Sequence, residues 1–448
     1  MIDQGQFSAQ EKWELFRALT IKGGLYTPPS AFNPLPGTYS LDAIREKRSI
    51  LPLATKLSRE DAAYVHIPFC KGGRCSFCMY PSIVRYSDED ISIYIKRIVK
   101  ELSYWRDLMS VGLRSFYVGG GTPTVLSSKQ LHEIFDPLLS LPFFENAERT
   151  CEVSPTTVDT EKIKTIHDIG FNRLSIGVQS FDPIVLKSVG REYVSRECIK
   201  KLVGTAREYG FADVNVDMLI GLPNEQFENI CTDIKSVLRS GALSLTVYAC
   251  RNLRIKSDIE EQERRSRMEH TLSLIYDIIE KEQWTREEGG VGTEYNCFGS
   301  PEKCIRLVPH ITYGDGFRNY NLWGLGAKSI SVTPAMAYRC DSYDLGFSAS
   351  DKRYKVFEYT PKQQMQLALC TMLYSRNMTI DCKLFEEAFG MHVIDAFCKE
   401  FKELEQLNRV EHEGNHRYIR LRCDNTTDEA TAIKFFWDWN HLLSLAGA

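Results

Sequence analysis

Between residues 62 and 250 the chain switches repeatedly between two hydrophobic periods. Short runs rich in Val, Ile and aromatic residues predict six strands: AAYVHI (62–67), SFYVGGG (115–121), TCEVSP (150–155), RLSIGVQS (173–180), DVNVDMLIG (213–221) and SLTVYAC (244–250). Between them apolar residues recur at three and four. DEDISIYIKRIVKELSYWRDLM (88–109) has that spacing with acids at its start, and further helices are predicted from about Ser127, from Val158, through Tyr209 and from Glu225. Strand and helix in strict alternation predict a parallel α/β array. Glycine and polar residues gather at the carboxyl ends of the strands: three cysteines, GGGTP, Glu152, Gln179, Asp217 and Tyr248. A doubly wound sheet builds its site at one switch point, whereas a barrel draws on the ends of many strands. The expected fold is therefore a partial (β/α)6 barrel.

The flanks divide differently. Residues 1–60 read as an N-terminal extension, with a short helix in Met1–Arg17, another at LDAIREKRS, and a Gly/Pro-dense run at 23–37. With Tyr26, Phe32 and Tyr39 that run is a disordered lead-in or a strap over a pocket. The core is 61–283, closing with a long charged helix over 255–283. A rim and connecting segment follows at 284–357, with strand pieces such as CIRLVPHITY and a tight turn at GLGAKSISV (324–332). Residues 358–448 form a small C-terminal α+β domain: helices near 361–376 and 393–406, a hairpin turning at Gly414 and Asn415, and a terminal helix with Phe435, Phe436, Trp437 and Trp439. Helices plus a hairpin suggest a winged-helix-like module that packs the barrel or caps a substrate.

Composition narrows the partners. At 448 residues, 43% hydrophobic and 25% charged, with a formal charge of -4, the chain has globular composition and no basic block, so no nucleic-acid partner is expected. There is no run of about twenty apolar residues, so no membrane span is expected. Fourteen cysteines without a regular framework or an amino-terminal apolar leader predict a cytoplasmic protein with reduced thiols. A monomer is expected.

Three of those cysteines stand apart. Cys70, Cys75 and Cys78 sit within nine residues of AYVHIPFCKGGRCSFCMY (63–80). Three such thiolates suit three irons of a four-iron four-sulfur cluster and leave the fourth iron open for chemistry. Structural zinc is the rival, but it needs a fourth ligand, and His66 falls inside a predicted strand. A disulfide is the weaker rival.

The series YVHIPFC, GGGTPT, EVSP, GFNRLSIGVQSF, GREY and VDMLIGLP, in order over most of 62–250, resembles the radical S-adenosylmethionine (SAM) superfamily. Within it, the series resembles the branch of oxygen-independent coproporphyrinogen III oxidase. That resemblance implies a [4Fe-4S] cluster on the three cysteines and SAM on its open iron. It also implies a 5'-deoxyadenosyl radical, a small-molecule substrate, and an electron donor such as flavodoxin or ferredoxin. By the same resemblance Tyr64, Phe77, Gly119, Gly120, Gly121, Glu152, Gln179, Arg191 and Asp217 contact SAM. A second SAM would touch Phe77, Gly120, Thr122, Ala249 and Ile330.

Three departures bear on the reaction. Four residues, Lys71 to Arg74, separate the first cysteines where the branch has three. Tyr80 stands where the oxidases place a further cysteine, and RNYNLW (318–323) has Arg318 where the haem chaperone relatives carry histidine. By elimination these favour methyl or methylene transfer from a second SAM, as in the methyltransferase and cyclopropanase members. Tyr248, Glu294, Tyr295 and His310 are then the candidates to move a proton. Oxidative decarboxylation of coproporphyrinogen III stays open, with Arg251, Arg254, Arg318 and Lys328 available for its carboxylates. So does a haem chaperone role. Cys297 and Cys304 read as buried thiols.

Overall fold

The structure is a computed structural model that describes residues 7–23, 35–50, 60–106, 109, 112–250, 258–287, 295–303, 320–333, 336–375, 378–424 and 426–436. Two helices, α1 (Ala9–Gly23) and α2 (Leu41–Ile50), precede the sheet. Then come β1 (Glu60–Ile67), α3 (Asp88–Trp105), β2 (Leu113–Gly120), α4 (Ser128–Leu139), β3 (Phe143–Val153), α5 (Thr160–Ile169) and β4 (Arg173–Gln179). They are followed by α6 (Pro183–Ser188), α7 (Arg196–Glu208), β5 (Asp213–Ile220), α8 (Phe227–Leu238) and β6 (Ser244–Ala249). All six predicted strands are present and pair in parallel, in sequence order. Helix starts follow side-chain chemistry: Ser87 with Asp90, and Ser127 with Gln130, form capping boxes, and Asp159 and Ser195 cap α5 and α7.

The sheet is wider than six strands. After α9 (Asp258–Lys281), β7 (Thr285–Arg286) and β8 (Tyr295–Gly299) add antiparallel beside β6. On the other side β9 (Tyr320–Leu325) pairs in parallel with β1, and β10 (Ile330–Val332), β11 (Met336–Cys340) and β12 (Tyr354–Glu358) continue antiparallel. GLGAKSISV is therefore two paired strands joined by a turn, rather than a turn alone. Residues 35–39 lie along the outer edge: Leu35 N–H reaches Val356 O at 2.8 Å and Tyr39 bridges Tyr354, which covers the edge of β12 that faces away from β11. The strap reading for Tyr26 and Phe32, and the strand piece at 304–313, lie outside the described residues.

The two faces of the sheet differ. Phe116, Val118, Leu174, Ile176, Val214, Val216, Leu245 and Val247 are buried in the main core on the helix side. The alternate residues form the inner face, and there β2 to β6 present Tyr117, Thr150, Glu152, Arg173, Ser175, Asp213, Asn215, Asp217 and Thr246, in register. Six parallel strands in sequence order, helix-covered on one face and polar on the other, have the layout of a partial barrel. Over β9 to β12 the inner face is instead apolar, with Ala62, Leu322, Val332, Ala337 and Phe357 packed against Leu367 of α10 (Pro361–Ser375).

A buried polar network fixes the β9–β10 turn to α3. Glu101 accepts from Gly326 N–H at 3.0 Å and from the Tyr354 hydroxyl at 3.1 Å, with the Arg97 guanidinium 3.6 Å away. Tyr94 receives the Ala327 N–H and donates to His66 O at 2.5 Å, beside the cysteine loop.

Beyond α10 come β13 (Thr379–Asp381), α11 (Cys382–Phe389), α12 (Val393–Ala396), α13 (Cys398–Gln406), β14 (Val410–Glu413), β15 (Tyr418–Leu421) and α14 (Thr426–Phe435). The hairpin of β14 and β15 joins β13 in a three-stranded sheet, a winged-helix-like arrangement. The single helix expected over 393–406 breaks at Phe397, and α11 was not anticipated. α1 belongs to this unit: Trp13 and Phe16 stack on Phe435, Lys12 pairs with Glu403 at 2.5 Å, and Arg409 lies over the Trp13 ring. Trp437 and Trp439 lie outside the described residues.

Candidate functional site

The cysteine loop leaves the carboxyl end of β1 and is held on three sides. Its return limb is fastened by Cys70 N–H to Ile83 O at 3.0 Å and Ile83 N–H to Pro68 O at 2.6 Å. Ser76 N–H reaches Val189 O at 3.0 Å, on the turn after α6, and Thr122 N–H reaches Phe69 O at 2.8 Å. Both glycines of the lengthened loop take positive φ, +82° at Gly72 and +128° at Gly73, so they supply the reversal that the extra residue requires. Arg74 closes the turn by donating to Cys78 O at 3.0 Å.

The three thiols line one cavity of about 120 Å³ together with Phe77, Gly121, Thr122, Gly177 and Arg191. Thr122 Oγ1 lies 3.8 Å from Cys70 Sγ, and an Arg191 nitrogen lies 3.9 Å from Cys75 Sγ. Burial pushes the Cys70 and Cys78 thiols up from their ordinary range. Among the described residues no group of three His, Cys, Asp or Glu side chains is placed to hold a single metal ion. In a cluster each cysteine bonds its own iron, so three thiols spread around one cavity fit it. His66 is not a ligand: its ring bonds Pro81 O at 2.9 Å and the Tyr64 hydroxyl at 3.1 Å, and burial lowers its pKa to about 4.

The glycine triplet is also required by packing. A Cβ on Gly121 would lie 2.6 Å from Phe69 O, and one on Gly120 would lie 2.6 Å from the His66 ring. At Gly119 it would meet the Glu152 carboxylate at 2.8 Å. The bare backbone thus lets β2 and the loop stack against β1 and Glu152. The Gly121 N–H is already given to Ile67 O at 2.7 Å.

Behind the triplet stands a buried acidic pair. Tyr117, with Tyr64 stacked on it, donates to Glu152 at 2.8 Å, yet burial raises the Glu152 carboxyl to about 7. Asp217 is also raised by burial, although Ser175 and Asn215 donate to it at 2.8 and 2.7 Å. Arg173, the cation beneath them, is engaged by Asp213 at 2.9 Å and Glu148 at 3.9 Å. Lys303 seals the same floor through Asp213 and Glu287. Gln179, at φ +75°, and Arg191 both close on Gly177, whose carbonyl accepts from Arg191.

Cys70, Cys75, Cys78, Phe77, Gly121, Thr122 and Arg191 thus surround one cavity, with Tyr64, Gly119, Gly120, Glu152, Gln179 and Asp217 on the adjoining strands. Ala249 and Ile330 do not line this cavity. The Ala249 methyl packs in the main core, and Ile330 packs on the apolar half of the inner face beyond β1. Tyr248 is opposite Tyr295 in the β6–β8 register. Glu294, His310, Cys304, Arg251, Arg254 and Arg318 lie outside the described residues. Lys328 is occupied by Asp341 O and the Tyr343 ring, so it is not a free rim cation. Cys297 faces Thr246 at 3.5 Å. Tyr117, Arg173, Ser175 and Asn215 were missed in the sequence. Their signal was polar residues at every second position of strands that, in a parallel sheet, usually read as apolar throughout.

Residues 64–237 match the family described as the Radical SAM superfamily. The oxygen-independent coproporphyrinogen III oxidase of Paracoccus denitrificans is 31% identical over 246 residues, 54% of this chain and 52% of the relative. The chain thus spans about half the length of that oxidase. Heme chaperone HemW of Bacillus subtilis is 25% identical over 80% of this chain and 94% of the relative. Among solved structures, coproporphyrinogen III oxidase of Escherichia coli superposes with a TM-score of 0.68 at 21% identity, covering 86% of this chain and 92% of that one, which supports the fold. Through residues 64–237 the chain is thus similar to the radical SAM superfamily, and the relatives it resembles are oxygen-independent coproporphyrinogen III oxidases and HemW.

Proposed function

We propose that this protein is a radical SAM enzyme acting on a tetrapyrrole, with oxidative decarboxylation of a coproporphyrinogen-like substrate as its reaction. The observation that carries the radical chemistry is the meeting of three loop thiols and Arg191 in one cavity, beside a buried pair of carboxyls short of a cation. Cys70, Cys75 and Cys78 hold the cluster in this reading. SAM bears an ammonium and a sulfonium, which is the charge that Glu152 and Asp217 lack, and Arg191 offers a fork to its carboxylate. Cluster and SAM together supply a radical able to take hydrogen from an unreactive C–H bond. The protein binds and orients: Thr122 and Arg191 flank the loop, Tyr117 holds Glu152, and the closed floor of Arg173 and Lys303 excludes water from below.

The substrate assignment rests on the oxidase and HemW relatives. Methyl transfer, expected from the departures in the loop, finds no support among them and yields first place. The extent of the HemW alignment favours a second reading, a haem chaperone.

Anaerobic reconstitution with labelled SAM and coproporphyrinogen III separates these readings. Carbon dioxide release with 5'-deoxyadenosine is the expected result. S-adenosylhomocysteine would favour transfer, and haem binding with little SAM turnover would favour the chaperone. Cys70→Ala, Cys75→Ala and Cys78→Ala are each expected to lose bound iron, and unchanged iron in the triple variant would sink the cluster assignment.

A further inference from the structure

The return limb of the cysteine loop is fixed on both sides of Ser82. Before it, Pro81 O accepts from the His66 ring at 2.9 Å. After it, Ile83 N–H reaches Pro68 O at 2.6 Å and Ile83 O accepts the Cys70 N–H at 3.0 Å, so Phe69 and Ile83 form a parallel bridge. With both neighbours held, Ser82 lies on the wall of the cavity that holds the three thiols. Its Oγ is buried, and among the described residues it has no hydrogen-bond partner. A buried hydroxyl left in that state costs about 1–3 kcal/mol. The site is therefore complete only when an acceptor faces Ser82.

Cys70 supplies that acceptor in its metal-binding form. Burial raises the Cys70 thiol, and the hydroxyls of Thr122 and Ser82 draw it back. A neutral thiol sulfur accepts weakly, whereas a thiolate sulfur is an anionic acceptor. The three thiols differ in this respect. Thr122 Oγ1 lies 3.8 Å from Cys70 Sγ, so Cys70 faces two hydroxyls, one from the return limb and one from the segment after β2. Cys75 has the Arg191 guanidinium 3.9 Å away, and Cys78 Sγ meets the Tyr80 carbonyl, which has no proton to give.

We infer that Ser82 sets the reduction potential of the cluster: its hydroxyl donates a hydrogen bond to the Cys70 sulfur and makes the cluster easier to reduce. The inference rests on the cluster reading above. Reduction adds one electron, and so negative charge, which a hydrogen bond to a ligand sulfur stabilises more in the reduced form than in the oxidised one. The proton stays on Ser82 Oγ, and no covalent bond is made or broken.

The test titrates the reconstituted full chain, without SAM, against dithionite, which gives one electron to each cluster and is oxidised. Electron spin resonance of the reduced cluster follows the titration, and iron content is measured beside it. In Ser82→Ala the equilibrium constant for reduction is expected to fall about tenfold, which is about 59 mV for one electron, with iron content at the wild-type value. Ser82→Thr keeps the hydroxyl and is expected to stay within about twofold of wild type. An iron-replete Ser82→Ala variant with the wild-type potential overturns the inference. So does a Ser82→Thr variant displaced as far as Ser82→Ala, because shape alone would then account for the shift. If Ser82→Ala loads iron poorly, Ser82→Thr and Ser82→Val, alike in shape and different in the hydroxyl, carry the test: a gap of about tenfold between them is expected, and equal potentials overturn the inference. A wild-type chain that binds no reducible four-iron cluster overturns the cluster reading itself.

Discussion

Glu152 stands at the point where sheet packing and ligand chemistry meet. In an unfolded chain its carboxyl releases a proton near the ordinary 4.5, whereas in the folded protein burial holds the proton to about 7. Between those values the folded state carries the extra proton, so stability falls as pH rises, by on the order of 3 kcal/mol once complete. Glu152→Gln is expected to reduce that slope and to make the ligand-free protein more stable than wild type at pH 8, but not at pH 5, as read by denaturant unfolding. A bound cation would draw the same proton off. Wild-type affinity for SAM is therefore expected to rise between about pH 6 and 8, and the variant's to stay flat. Equal pH slopes in the two proteins would show that Glu152 is not the titrating group. Glu152 itself was legible from its place at a strand end. Its partner Tyr117 was not, because SFYVGG reads as a buried strand and only the register of the sheet reveals which residues face inward.

At the scale of elements, α3 does more than cover the sheet. Its Tyr94, Arg97 and Glu101 hold the turn between β9 and β10, and Tyr94 also bonds the last turn of chain before the cysteine loop. Glu101→Gln removes the carboxylate that, among the described residues, pairs with the fully buried Arg97 side chain, so a destabilisation of about 3–5 kcal/mol is expected. Thermal unfolding of the iron-free protein measures it, and a loss below about 1 kcal/mol would mean that neighbouring carbonyls suffice for Arg97. α3 was readable almost to its ends from its apolar spacing. Its partners were not, since β10 to β12 are only three to five residues long and their pairing depends on contacts far away in sequence.

For the whole molecule, the six-strand frame followed from the alternation of periods, while the added edge strands and the seat of α1 did not. A polar first segment gives no sign that Trp13 and Phe16 complete a core built from residues 365–436. Removing residues 1–23 is expected to expose that core and lower the first thermal transition, while leaving iron loading at Cys70, Cys75 and Cys78 near the wild-type level. Loss of iron on truncation would show that the C-terminal unit and the barrel are not separable in this way. The placing of α1 also bears on synthesis. Lys12 and Glu403 are 391 residues apart, so α1 leaves the ribosome long before the helices it packs on exist. At about 5–20 residues per second that wait is on the order of half a minute, during which every barrel strand has emerged and the cysteine loop can be loaded. A helix made before the barrel is thus among the last to find its place, and metal delivery and completion of the fold become successive events.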